Sequence, residues 1–254
     1  MLPIRDHHPS ATLPLITYAL IVLNAGLFLA YWPLGNEEAV AQVFRSWGLV
    51  PAQLSEGAGW TGLFTGPFLH GGWFHLGLNM LFLWIFGDNL EAELGRARFL
   101  GFYLVCGVMG GFVHWAVAPG SAVPVVGASG AVAGVMGGYL LLFPRARVDV
   151  VLWYVVGLRV IALPAWLLLG LWLVLQLWGG LSQPVGGSGV AFWAHLGGFA
   201  TGVALCLRPW RRRGGRHFWR RFHGHPPQSG PAVPVVRRRG MALPPLVRGP
   251  FHRD

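Results

Sequence analysis

The chain has 254 residues, 54% of them hydrophobic and 11% charged, with a mean hydropathy of +0.53 and a formal net charge of +10. Soluble domains carry about 25% charged residues, so a soluble enzyme is excluded, while 13 Trp and 38 Gly fit a membrane protein, whose interfaces collect Trp and whose helices tolerate Gly. All 19 basic residues are Arg; residues 208–254 hold 12 of them with one acid, against 7 Arg and 8 acids in 1–207, so the charge belongs to a tail on a near-neutral body and not to a nucleic-acid surface.

A membrane span needs roughly 20 apolar residues, and six stretches come close: 13–33, 72–90, 99–118, 128–143, 161–178 and 190–207. The first is longer than the apolar region of a signal peptide and no cleavage site follows it, so it reads as a span. The fourth has 16 residues, about 24 Å at 1.5 Å per residue, and should start below one membrane surface. Fold class is therefore an all-α polytopic membrane protein with a six-helix bundle over 13–207, a cytoplasmic segment 1–12 before it and an Arg/Pro/Gly-rich, disordered cytoplasmic tail over 208–254 after it.

Arg5 precedes the first span, Arg96 and Arg98 lie between the second and third, Arg145, Arg147 and Arg159 between the fourth and fifth, and the tail follows the sixth. The other connections hold only Arg45. The positive-inside rule then puts both termini in the cytoplasm and three loops outside. The longest outer loop, 34–71, mixes Glu37, Glu38 and Glu56 with apolar residues and reads as a structured, partly lipid-embedded loop. The stretch 149–159 reads as an interfacial lead-in to the fifth span. Cys106 and Cys206 sit in apolar runs and make no disulfide framework. A Lys-free composition rich in Gly, Ala, Pro and Arg points to a GC-rich bacterial genome, and so to a bacterial inner or plasma membrane.

Polar residues inside spans are costly and mark functional positions. They are His75, Asn79, His114, Ser129, Gln176 and His195. Ser129 stands in Gly127-Ala128-Ser129-Gly130 at the start of the short fourth span, where free backbone N–H groups can hold an oxyanion. His195 opens the sixth span, with Gly198 and Gly202 on its face; Gly130, Gly134 and Gly138 line the Ser129 helix. Two small-residue faces let membrane helices approach closely and so imply a direct Ser129–His195 contact. His75 and Asn79, at i and i+4, share a face of the second span and can donate hydrogen bonds to an oxyanion. With the N-terminus inside, Ser129, His75 and His195 all fall in the first, outer turns of their spans, whereas Asp88, Glu91, Glu93 and Asp149 lie toward the inner face. The expectation is a Ser–His dyad without a carboxylate. The alternatives at this stage are a cofactor-binding or transport protein, since His75, His114 and His195 could ligate haem or metal, and a non-catalytic binder of membrane clients.

Four blocks in order, over roughly residues 14–207, make the chain resemble the rhomboid family of intramembrane serine proteases: Phe68-Leu69-His70-Gly71-Gly72-Trp73-Phe74-His75 with Asn79-Met80; Phe86-Gly87-Asp88-Asn89-Leu90-Glu91 with Gly95-Arg96; Gly127-Ala128-Ser129-Gly130; and Ala194-His195-Leu196-Gly197-Gly198 with Gly202. The resemblance implies a six-span core with Ser129 as nucleophile, His195 as general base, and an oxyanion hole from the Ser129 backbone N–H, His75 and Asn79. It implies supporting roles for Gly127, for Glu91 at the inner end of the second span, for Gly198 and Gly202 in helix packing, and for His70 in the first outer loop. It implies no cofactor or metal, an outward-opening cavity, and transmembrane protein substrates cut in or near the bilayer; the basic tail would meet anionic lipid headgroups. Two positions depart from the family pattern. Thr61, not Arg, follows Trp60, and Ala133 replaces an aromatic four residues after the nucleophile, so another side chain must hold the imidazole.

Overall fold

The computed structural model describes residues 2–7, 10, 12–32, 36–154, 157–182, 190–222 and 224. Most of these residues are helical. Among these described residues six long helices form a bundle: α1 (Leu15–Tyr31), α5 (Trp73–Leu94), α6 (Arg96–Val117), α7 (Ser129–Leu142), α8 (Ala165–Ser182) and α9 (Phe192–Arg212). Three short ones, α2 (Glu37–Trp47), α3 (Pro51–Ser55) and α4 (Gly62–Thr65), organise the long loop after α1. By length and apolar composition α6 and α8 could each cross a membrane, both at mean hydropathy 1.6; α1 and α7 are apolar but shorter.

The contacts fix the helix directions. His75 and Leu90 of α5 lie against Gly127 and Gly138 at the two ends of α7, so these helices run parallel. Gly198 and Gly202 of α9 lie on the carbonyls of Gly130 and Gly134, which makes α9 parallel to α7 as well. Cys106 and Phe102 of α6 meet Gly134 and Gly138 in the reverse sense. On α8, Gln176 and Trp172 reach His195 and Phe199 in turn, again antiparallel to α9. Successive long helices therefore alternate in direction. At the centre stands α7, 14 residues or about 21 Å long, with residues 130–139 all buried. Its run of Gly and Ala is what lets α6 and α9 press on its backbone.

A three-stranded antiparallel sheet corrects the expectation of an all-α chain. The strand β1 (Leu2–Asp6) pairs with β2 (Arg147–Tyr154), which pairs with β3 (Gly157–Pro164). Residues 149–154 and 157–159 thus belong to paired strands and not to a lead-in to a span, and α8 starts at Ala165 because residues 161–164 are still in register with 147–150 of β2. The β-branched alternation Arg147-Val148-Asp149-Val150, with Val148 and Val150 fully buried, explains the strand. The first part of the tail is also ordered, contrary to expectation: α9 continues to Arg212, and α10 (Arg216–Phe222) folds back so that Phe218 packs beside Phe143 and the Trp219 indole N–H donates to the Leu141 carbonyl. Aromatic burial among the arginines supplies the anchor that a charge count hides. Residues 225–254 of the tail lie outside the described residues.

Charged and polar groups gather at the end of the bundle that holds the C-termini of α5 and α9. Glu91 is buried there: one carboxylate oxygen accepts from the Ile16 N–H at 3.0 Å, the other from the Thr17 N–H at 2.8 Å and the Thr17 hydroxyl at 2.9 Å. Pro14 cannot cap α1 with its side chain, so Glu91 satisfies the first-turn N–H groups from a neighbouring helix. Arg213 pairs with Glu93. Asp6 of β1 accepts from Asn89 at 2.9 Å and from the Tyr139 hydroxyl at 2.5 Å, and Arg5 and His7 both hold Asp149 of β2.

Candidate active site

At the opposite end, Ser129 is the first residue of α7. The segment leading to it is strapped down by the loop after α1. Leu49 and Val125 exchange backbone hydrogen bonds of 2.7 and 3.1 Å, and the Gly127 N–H donates to the Gly66 carbonyl at 3.0 Å. Gly127 has φ +129°, a region that favours glycine, and its α-carbon faces the His75 ring so closely that a β-carbon would collide with Nε2. Ser129 is thus delivered at a helix start whose first N–H groups have no helical acceptors.

His195 sits in the first turn of α9, and its Nε2 lies 2.7 Å from Ser129 Oγ. The approach depends on Gly198 and Gly202: a β-carbon on either would run into the carbonyl of Gly130 or Gly134. Gly110 of α6 completes the packing, lying against the Ala194 carbonyl. The other imidazole nitrogen, Nδ1, lies 2.7 Å from Gln176 Oε1 on α8. Trp172, one turn earlier on α8, lies over the ring at a centroid distance of 6.0 Å and 33°. Trp172 and Gln176 thus hold His195 from α8, whereas Ala133 of α7 is fully buried and carries no ring to do so.

His75 lies in the first turn of α5. Its Nδ1 accepts from the Gly71 N–H at 3.3 Å, so in the neutral ring Nε2 carries the proton and faces Gly127 and the space beside Ser129. Asn79, one turn on, donates one amide proton to the His75 carbonyl at 3.1 Å. Beside His75, His70 is fully buried with its ring edge-on at 5.2 Å. The His70 backbone N–H and carbonyl both bond the Tyr31 hydroxyl, at 2.6 and 2.7 Å. Burial, and then the neighbouring His75, pushes the His70 imidazole down to about 3, so it stays neutral, while the backbone of the residue ties α1 to the start of α5.

Ser129, His195, His75 and Asn79 together line a cavity of about 360 Å³, with Met136 and Trp172 among its apolar walls. His114, on α6, is buried and its Nδ1 has no hydrogen-bond partner among the described residues. Glu91 lies at the far end of α5, away from this cavity. Where Thr61 stands in place of a family arginine, the loop is held by other means: Thr65 donates to the Trp47 carbonyl at 2.5 Å, and Ser55 links the Trp115 indole N–H to the Pro119 carbonyl. Gln176 stood out in the sequence as polar inside a span, but nothing there marked it as the partner of His195.

A family model for the Rhomboid domain matches residues 57–212, more than half of the chain. Similar proteins include rhomboid protein 1, mitochondrial, of Saccharomyces cerevisiae, 36% identical over 54% of this chain and 38% of that protein. Rhomboid-like protein 11, chloroplastic, of Arabidopsis thaliana is 36% identical over 45% of this chain and 38% of its own length. Rhomboid protease GluP of Bacillus subtilis is 32% identical over 50% and 24%. The match thus spans well under half the length of each of these three relatives.

Proposed function

Because the chain belongs to the rhomboid family, we propose that it is an intramembrane serine endopeptidase with Ser129 as nucleophile and His195 as general base. The observation that carries this reading is the 2.7 Å contact between Ser129 Oγ and His195 Nε2 in the lining of a cavity. As Oγ attacks the scissile carbonyl, its proton passes to Nε2. The tetrahedral oxyanion is stabilised by the Ser129 backbone N–H, the His75 Nε2–H and the second Asn79 amide proton. His195 then returns the proton to the leaving amine, and water hydrolyses the acyl-enzyme. These steps need no metal or cofactor.

The six alternating helices are read as membrane spans, as the family and the surface support. Trp73, Phe74 and Trp178 are exposed near the dyad end and Trp166 near the other, as at two interfaces. Along α8, Leu171, Val174, Leu175 and Leu177 are exposed apolar side chains, suited to lipid. Arginine placement puts residues 1–12 and the tail in the cytoplasm and the cavity toward the outside. Arg145, Arg216 and Arg220 line an open cavity of about 470 Å³ with Trp219, a setting for the phosphates of anionic lipid headgroups. Substrates are single-span membrane proteins, cut in or near the bilayer where small or helix-breaking residues loosen the helix. The Lys-free composition favours a bacterial plasma membrane.

The test is cleavage of a reconstituted single-span substrate carrying a fluorophore–quencher pair, alongside labelling by a fluorophosphonate. Wild-type protein is expected to cleave and to be labelled at Ser129, and Ser129→Ala to do neither. Undiminished cleavage by Ser129→Ala would overturn the assignment.

A further inference from the structure

The dyad uses one nitrogen of His195, and the structure also commits the other. Nδ1 meets Gln176 Oε1 at 2.7 Å while Nε2 meets Ser129 Oγ at 2.7 Å. A neutral imidazole has a single proton, so these contacts are coupled. With Nδ1–H donating to the amide oxygen, Nε2 presents its lone pair to the Ser129 hydroxyl. With the proton on Nε2, the ring would face that hydroxyl as a donor and could not take its proton. An amide oxygen only accepts, so its position opposite Nδ1 selects the tautomer that serves as base.

The surroundings favour such a partner. Residues 172 and 176 are i and i+4 on α8, so Trp172 on the ring face and Gln176 on the ring edge act from one helix face. Phe192 closes another edge at 6.5 Å and 79°. The titratable groups that bear electrostatically on His195 are His75 of α5 and His114 of α6; α7 faces it with Ser129, α8 with Gln176 and Trp172. A carboxylate in this place would add a buried charge inside the bundle, which is costly to desolvate. A neutral amide orients the ring without that cost, but stabilises the imidazolium formed in the transition state less than a full charge would.

We propose that Gln176 is the positioning residue of the site, holding Nδ1–H of His195 so that Nε2 receives the proton of Ser129. Its effect on rate rests on the reading of Ser129 and His195 as nucleophile and base; its effect on the tautomer does not. Gln176→Met keeps the side-chain length and removes the acceptor, and Gln176→Glu restores an acceptor with charge. The readouts are the rate of Ser129 labelling by a fluorophosphonate across pH, and the ¹⁵N spectrum of His195 in protein labelled at histidine, assigned with His195→Gln.

The Met variant is expected to label about 10–100-fold more slowly, short of the roughly 10⁴-fold cost of the wrong tautomer in a carboxylate triad. The Glu variant is expected to label at least as fast as wild type, with the acid limb of its profile moved about one unit higher, because a carboxylate favours the imidazolium. A purely structural role for Gln176 would leave the tautomer preference of His195 unchanged in the Met variant. The wild-type spectrum is expected to show Nδ1 protonated, and the Met variant a loss of that preference. The proposal is overturned by a Met variant labelling within twofold of wild type, by an unshifted limb in the Glu variant, or by a wild-type spectrum with the proton on Nε2. Failure of the protease reading looks different: wild-type Ser129 would not label at all, while the ¹⁵N spectra would still decide the tautomer.

Discussion

Asn79 has one amide proton committed to its own helix, at the His75 carbonyl, and a second to spare. Removing it leaves two of the three proposed donors in place. Loss of one oxyanion donor costs about 10²–10³-fold where little else compensates; with His75 and the Ser129 N–H still present, Asn79→Ala is expected to lower kcat by about 10–100-fold and leave KM nearly unchanged, measured by steady-state cleavage. A rise in KM at constant kcat would mean that Asn79 binds substrate instead. At this scale much of the site was legible. Glycine faces on two apolar stretches implied that Ser129 and His195 approach, and the i, i+4 spacing put His75 and Asn79 on one face. Gln176 was visible as a polar residue in a span, but its partner depends on how α8 rotates against α9, which no local pattern encodes. The acids were excluded as partners of His195 by their depth, which left open what fills that place.

At the scale of elements, the geometry of the site is the geometry of the α7–α9 contact, because each helix carries one of the two groups 2.7 Å apart. A methyl at position 202 would enter the Gly134 carbonyl, and helical backbone cannot yield locally. Gly202→Ala is therefore expected to cost about 1–3 kcal/mol, the range for overpacking, seen as a lower unfolding midpoint in detergent and a slower Ser129 labelling. Gly26→Ala, inside α1 where a β-carbon meets nothing within 4 Å, should instead be neutral or stabilise by up to about 1 kcal/mol through helix propensity. Equal effects at the two positions would contradict the packing argument. The long helices were legible from apolar runs of sufficient length. The sheet was missed because its Val alternation is short and because Asp149 and Arg159, at the ends of the stretch 149–159, resemble interface residues. The ordering of residues 208–222 was missed because charge dominated the reading, although Trp210, Phe218, Trp219 and Phe222 were there to anchor it.

The whole molecule is polarised. One end holds the cavity and the histidines of the site; the other holds carboxylates that join β1, β2, α1, α5 and α7. Within the second set, hydrogen bonding from His7, then from Arg5, holds the Asp149 carboxyl below the usual carboxylate range, against the opposing effect of burial. An ordinary Asp titrates near about 3.9. A carboxyl lowered in the folded state contributes stability that is present above that value and is lost as the pH falls through the lowered one. Below about pH 4, β1 should therefore loosen before the bundle does. Hydrogen exchange of residues 2–6 checks this: Asp149→Asn should exchange fast already at neutral pH, and protection unchanged down to pH 2 would refute the linkage.

The pairing of β1 also orders events in time. Leu2 faces Val151 and Asp6 faces Val148, so β1 waits for partners made some 140 residues later. At about 5–20 residues per second, that wait is roughly 7–30 s, during which α1, α5, α6 and α7 are all translated. The strand cannot guide their assembly. It closes over it, a late clasp whose long-range contact forms slowly and whose formation marks the point at which the first four long helices have met the hairpin.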